Sequence, residues 1–275
     1  MNGLRTEIEQ LPVNDQSVAI WGLGQTGYVI KGREHIIYID PYLTDTLRIT
    51  TGDICTRLFP PPLEPEEICN ATAVFCTHGH GDHLDPVTLQ GISKYSPLAR
   101  FIVPHIHLRD VTALGIPEDR VYCPKQNQRQ SIGNVEFIPI SAAHPQVEYD
   151  NEGYSKYLGY LFFFGEITLF HAGDTVLYPE IIDNLKQYSI DIAILPINGR
   201  DYWRERANII GNLDYKEAVQ LAAAISAKVL IPSHNDLFAA NRCNPAYLVD
   251  YLDRLSSGQR MHFLQVGEPY VFVKV

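Results

Sequence analysis

Apolar positions in this chain fall into short runs broken by glycine, proline and polar turns, and such runs predict strands. Residues 17–21, 27–30 and 35–39 are rich in β-branched and aromatic side chains, with Lys31-Gly32-Arg33 as the turn between the last two. Residues 71–77 predict a further strand, followed by a polar loop. Asp85-Pro86 then supplies an N-cap and a first helical residue for a helix to about Tyr95. Residues 100–103 and 134–140 are strand-like again. The second half repeats the style, with strands at 157–164 and 166–171 about Gly165, then 190–197. Asp214 and Glu217 form a capping-box-like start for a helix over 214–227, residues 228–231 a strand, and Asn244-Pro245 opens another helix. Strands at 261–266 and 269–273 close the chain. The proline-rich stretch 44–68 is expected to be irregular. Hairpins alternate with strand–helix units in each half, which predicts an α/β layered fold of two mixed sheets with helices outside, in one domain spanning 1–275.

Charge narrows the partners. With 22 Lys+Arg against 32 Asp+Glu the net charge is −10, which speaks against nucleic acid or an anionic membrane surface as a partner. A small anionic molecule stays open, because a metal or a local Arg cluster reverses the sign within a cleft; so does a homo-oligomer. The five cysteines are odd in number and form no CxxC pair. The first residues carry no secretion signal, and no apolar run approaches the ~20 residues of a membrane helix. These features predict a cytoplasmic protein.

Gly22-Leu-Gly24-Gln-Thr-Gly27 matches a dinucleotide-binding fingerprint in letters only. That fingerprint needs a helix N-terminus at the pyrophosphate, whereas Tyr28-Val-Ile30 continues as strand. An inter-strand turn is expected here instead.

The chemistry concentrates in Thr77-His78-Gly79-His80-Gly81-Asp82-His83, between a predicted strand end and a predicted helix start. Histidines two apart on an extended loop can face one metal ion. Gly81 permits a change of direction that turns Asp82 and His83 toward a second position. Imidazole and carboxylate together suit Zn, Mn, Fe or Co. Three more candidates follow strand ends: His144, Asp174 within His171-Ala-Gly-Asp-Thr175, and His234 within Pro232-Ser-His-Asn-Asp236. Loops at strand ends converge on one edge of a layered fold, where sites are built.

The HxHxDH run, a later histidine, a Gly-Asp after a strand and a final histidine, in that order, resemble the metallo-β-lactamase superfamily. Trp21-Gly-Leu-Gly-Gln-Thr-Gly27, Ile39-Asp-Pro-Tyr-Leu43 and Leu195-Pro-Ile-Asn-Gly-Arg-Asp-Tyr202 with Gly211-Asn-Leu are similar to its L-ascorbate-6-phosphate lactonase-like branch. The resemblance runs from about residue 17 to 273. It implies a four-layer αββα sandwich with His78, His80 and His144 at one metal, and Asp82, His83 and His234 at a second. Asp174 would bridge the two. One or two divalent ions per chain are implied, manganese or zinc ahead of iron. A metal-bound hydroxide would open a lactone of a small, anionic, sugar-phosphate-like metabolite such as L-ascorbate 6-phosphate. Asp174 would orient the nucleophile and Asp82 would shuttle a proton, with His234 completing the catalytic set.

For the substrate side, Arg200, Arg204 and Arg206 lie close together and could form an anion pocket, with Asn198 nearer the strand end. The alternative is a solvated loop paired at Glu205. His105 and His107 repeat the HxH spacing without an Asp-His behind them and are expected to serve as caps or surface groups. His171 is expected either behind the ligands or in strand packing. Rival functions are a phosphodiesterase or nuclease, a di-iron redox protein, and a non-catalytic metal-binding protein.

Overall fold

The computed structural model describes residues 3–255 and 258–274. Fourteen strands are formed among them. Six come first, β1 Ser17–Gly24, β2 Gly27–Lys31, β3 Ile36–Ile39, β4 Ala73–Phe75, β5 Arg100–Ile102 and β6 Val121–Tyr122. Seven more follow, β7 Gln130–Ile132, β8 Val135–Ser141, β9 Leu158–Phe164, β10 Ile167–His171, β11 Ile192–Pro196, β12 Val229–Ser233 and β13 Arg260–Met261. The last, β14 Pro269–Val273, returns to the first sheet, giving the orders β14-β1-β2-β3-β4-β5-β6 and β13-β12-β11-β10-β9-β8-β7.

Each sheet is mixed. Hairpins β1–β2, β2–β3, β8–β9 and β9–β10 pair antiparallel, while β3 to β6 and β10 to β13 run parallel. Parallel strands need both faces covered, so their sequences read as unbroken apolar runs. Every residue of β11 and of β12 is buried. Ile20, Tyr28, Ile39 and Phe75 of one sheet meet Phe137, Tyr160, Phe162 and Leu169 of the other in a shared core. The Phe75 ring sits edge-on to Phe137, Tyr160 and Phe162 at 5.0, 5.1 and 4.8 Å, the arrangement aromatic quadrupoles favour.

Helices cover the outer faces. Pro86–Tyr95 buries Leu89 and Ile92 against the first sheet; Tyr215–Ala224 and Ala246–Arg254 bury Leu221 and Leu248 against the second. The four layers are therefore helix, sheet, sheet, helix. The helix starts follow the expected chemistry. The Thr88 amide donates to Asp85 (3.2 Å), and Asp214 and Glu217 cap each other reciprocally.

Several elements depart from expectation. The stretch 44–68 contains a helix, Thr46–Thr51, and helices Leu4–Gln10, Pro179–Leu185 and Tyr202–Arg206 form where none is expected. All are too short to show a 3.6-residue repeat. The two-residue β13 replaces an expected strand over 261–266, and the helix from Tyr215 stops at Ala224 rather than 227. Gly22-Leu-Gly24-Gln-Thr-Gly27 is a strand–turn–strand, with Gly24 and Gln25 at φ 99° and 57°. Among the described residues, no helix is long and apolar enough to cross a membrane.

Candidate metal centre

The C-terminal ends of β3, β4, β10 and β12 lie on one edge of the sandwich, and each delivers part of a single polar cluster. The loop after β4 carries His78, His80, Asp82 and His83. It closes on itself through the His83 and Leu84 amides, which donate to the His80 carbonyl at 2.9 and 2.8 Å. Its glycines serve close approach rather than a special backbone angle. A Cβ on Gly79 would lie 2.2 Å from the His107 ring, and one on Gly81 would lie 2.8 Å from Leu47. The expected turn at Gly81 is thus a packing requirement.

Ligand-type atoms of His78, His80, His144 and Asp174 all lie within 4.8 Å of one another, as do those of Asp82, His83 and His234. Asp174 sits between the two groups. One carboxylate oxygen is 3.5 Å from His83 Nε2, and the other is 3.3 Å from His234 Nε2 and 3.8 Å from His144 Nε2. Asp82 Oδ2 is 3.8 Å from both His83 Nε2 and His234 Nε2. Apart from His80, which is exposed, and Asp82, which is partly so, the cluster is buried.

Among the described residues, His83 Nε2, both ring nitrogens of His144, Asp174 Oδ1 and His234 Nδ1 are buried without a hydrogen-bond partner. A buried polar atom left unpaired costs about 1–3 kcal/mol, so several in one place call for a missing partner. Nitrogen and oxygen donors at this spacing fit one or two divalent cations.

Protonation divides along the same line. Burial, with neighbouring histidines adding to it, holds His78 well below the ordinary range and His144 at about 4, and lowers His80 as well. These rings are neutral at pH 7, with a lone pair free. Burial also opposes charge on His83 and His234, but the carboxylates facing them, Asp174 foremost, outweigh it and raise both. The same pairing overcomes burial at Asp174, which titrates well below the usual carboxylate range. The carboxylates thus favour protons on His83 and His234, and a cation bound there would displace them.

A further layer aims these side chains. The Asp40 carboxylate lies 2.7 Å from His83 Nδ1 and accepts from the Thr77 amide and hydroxyl, both at 2.7 Å. The Gln25 amide nitrogen donates to Asp82 Oδ2 (2.9 Å) and lies 3.2 Å from His234 Nε2. His171 accepts from the Gly173 amide at Nδ1 and donates from Nε2 to the Thr26 carbonyl, so it braces the turn that presents Asp174. Gln25, Asp40 and His234 all adopt positive φ, at 57°, 43° and 54°, and such strain gathers at working sites. Asp40 and Gln25 were not singled out in the sequence. Their only signal is membership of Ile39-Asp-Pro-Tyr-Leu43 and of the glycine-rich turn.

A cavity of about 210 Å³ opens over His80, Asp82, Asp174 and His234. The expected substrate residues do not line it. Arg200 holds Glu217 with both guanidinium nitrogens, at 2.9 and 2.6 Å, and donates to the Asn212 carbonyl. Arg204 binds Asp201 (2.6 Å) and the Asn198 carbonyl (2.6 Å). Asn198 is buried between Asn241 and Asn212. These groups brace the loop rather than face the site. His105 pairs with Asp150 (2.6 Å), and His107 packs on Gly79 and pairs with Asp110 (2.9 Å).

Known proteins share this arrangement of the chain. A model of the beta-lactamase superfamily domain matches residues 35–235. A metal-dependent hydrolase of Hyperthermus butylicus is 28% identical over 256 residues, covering 91% of this chain and 97% of that protein. A probable L-ascorbate-6-phosphate lactonase of Escherichia fergusonii is 23% identical, covering 98% of this chain and 85% of that protein. Among solved structures, a metallo hydrolase of the archaeon Ignicoccus hospitalis aligns with a TM-score of 0.72 at 19% identity, over 94% of this chain and 100% of that one. The matched span contains all seven His and Asp residues of the two groups, and the chain belongs to the metallo-β-lactamase superfamily.

Proposed function

We propose that this protein is a metal-dependent hydrolase that opens a lactone or related carboxylic ester of a small metabolite. The observation that carries the reading is the set of unpartnered buried donors on His83, His144, Asp174 and His234 beneath a small open cavity. Divalent ions held there would supply Lewis acidity and bring the pKa of water toward neutrality. Asp174 would orient the attacking water, since its two oxygens reach both groups. Asp82, partly exposed on the cavity floor, would pass the proton to the leaving oxygen. His234 would hold Asp174 in place. In the reaction, the water oxygen bonds the carbonyl carbon, the ring C–O bond breaks, and the water proton ends on the leaving alkoxide. The product is a hydroxy acid. The named activities of the similar proteins support hydrolysis, and the cavity size favours a small molecule over a nucleic-acid strand. Manganese and zinc both suit a wholly nitrogen and oxygen donor set.

The test is hydrolysis of L-ascorbate 6-phosphate and of simple γ-lactones by metal-stripped protein, with Mn²⁺ or Zn²⁺ added back. Turnover that requires both metal and Asp174 is expected. Tight metal binding with no turnover of any lactone or ester would overturn the activity.

A further inference from the structure

The cavity above the centre has a polar floor and apolar walls. Leu47, Ile54, Ile209, Ile210 and Phe238 line it together with His80, Asp82, Asp174 and His234. Among the described residues, no Lys or Arg lines it. Of its side amides, Asn241 already accepts from Asn198 (2.9 Å) and Arg204 (3.3 Å). Arg48, Arg206 and Arg242 follow or precede lining residues within two positions yet are not part of the lining, and Arg200 and Arg204 are held by Glu217 and Asp201. With no Lys or Arg in the lining, a phosphate arm would be received by cations only at the metal floor, and burying it among the apolar side chains would be costly. An alkyl arm meets no such penalty.

Two wall residues sit at the mouth. Ile54 is 43% and Ile210 is 37% exposed. Large aliphatic side chains left in water beside a cluster of polar ligands gain by being covered. They belong to separate chain segments, and the Ile54 segment is anchored to the histidine loop where Leu47 packs on Gly81. The apolar walls are thus part of the same construction as the centre. Ligand pockets commonly combine an apolar lining with a few placed polar groups.

We infer that the cavity selects a small lactone or ester bearing a short alkyl arm, with the carbonyl over the His/Asp floor and the arm between Ile54 and Ile210. The inference rests on the hydrolase reading for its floor and on the wall residues for its specificity.

The experiment uses the full chain loaded with Mn²⁺ or Zn²⁺, its metal content measured first. It is titrated calorimetrically with straight-chain hydroxamates from acetohydroxamate to octanohydroxamate, and assayed on γ-lactones carrying the same arms. Affinity and kcat/KM should each rise about three- to fourfold per methylene until the cavity is filled. Ile54→Asp and Ile210→Asp should flatten both series while metal content stays at the wild-type value, and the milder Ile54→Ala and Ile210→Ala should reduce the slope. Affinity independent of chain length, or L-ascorbate 6-phosphate outperforming every alkyl lactone, would overturn the inference. A chain-length slope in hydroxamate affinity without turnover keeps the apolar site and removes the hydrolase. Turnover without a slope removes the apolar site alone. Failure to take up metal overturns both.

Discussion

The Asp40 carboxylate lies 2.7 Å from His83 Nδ1, fully buried, and also accepts from the Thr77 amide and hydroxyl. Donation from Nδ1–H fixes the ring and leaves Nε2 facing Asp82 and Asp174. Carboxylates placed behind a ligating histidine raise its basicity and hold its angle, and losing one typically costs 10–100-fold in metal affinity. Asp40→Asn should therefore weaken Mn²⁺ or Zn²⁺ binding by about tenfold or more, measured by calorimetric titration. Wild-type affinity in this variant would show that Asp40 only ties two strand ends together.

His80 separates function from stability. It is exposed, unlike His78, His83 and His144, and its ring lies 2.8 Å from His78 Nε2 rather than in the core. Exposed substitutions usually change stability by no more than about 0.5 kcal/mol. His80→Ala should leave metal-free unfolding near wild type by urea titration and lower turnover by at least about a hundredfold. Activity within tenfold of wild type would remove His80 from the centre.

Gly173 is the hinge of the turn that presents Asp174. It sits at φ 61°, and an added Cβ would lie 2.8 Å from both the Leu158 carbonyl and Thr77. Gly173→Ala combines the left-handed penalty with backbone overlap, so the turn must shift and carry Asp174 with it. Gly133 also has positive φ but nothing within 4 Å of the added carbon. Gly173→Ala should lose most bound metal in equilibrium dialysis, whereas Gly133→Ala should keep it. Equal metal content in the two would show that Asp174 tolerates the displacement.

Arg200 grips Glu217 at the start of the helix Tyr215–Ala224, where Glu217 also accepts from the Asp214 amide. Partly exposed pairs of this kind contribute about 1 kcal/mol. Arg200→Ala should lower stability by that amount and change KM for phosphorylated and neutral substrates alike. A rise confined to phosphorylated substrates would bring Arg200 back to the substrate.

What could be read from the chain was local. Asp85-Pro86 and the Asp214/Glu217 box announce helices within four residues, and the HxHxDH run sets four candidate ligands on one loop. Asp40 and Gln25 were hidden because their partners lie 43 and 57 residues away and their turns require positive φ, which has no letter signature outside glycine. The place of Arg200 was left open between substrate and loop pairing for the converse reason. Its carboxylate partner is 17 residues on, and only the folded helix brings it there. The short helix Thr46–Thr51, which supplies Leu47 to the cavity wall, shows no period in six residues.

Asp191 ties the second sheet together and makes stability depend on acid. Its side chain is fully buried. Oδ2 accepts from the Thr168 amide and from Lys274 Nζ, each at 2.9 Å, and Lys228 Nζ lies 2.8 Å from Oδ1. Burial alone would raise its pKa, but these donors outweigh it and hold the carboxyl below the ordinary aspartate value. A depressed carboxyl pKa stabilises the fold above the unfolded-state value of about 3.9 and loses that contribution as pH falls through the folded value. Asp191→Asn removes the charge and leaves both lysines without their partner, at a cost of about 2 kcal/mol, since the lysines are partly solvated. The Tm of Asp191→Asn should lie roughly 5 °C below wild type at pH 7. The gap should narrow as the pH is lowered from about 4 toward 2, because the wild-type carboxyl then becomes neutral as well. A gap of constant size across that range would assign the loss to packing rather than to charge.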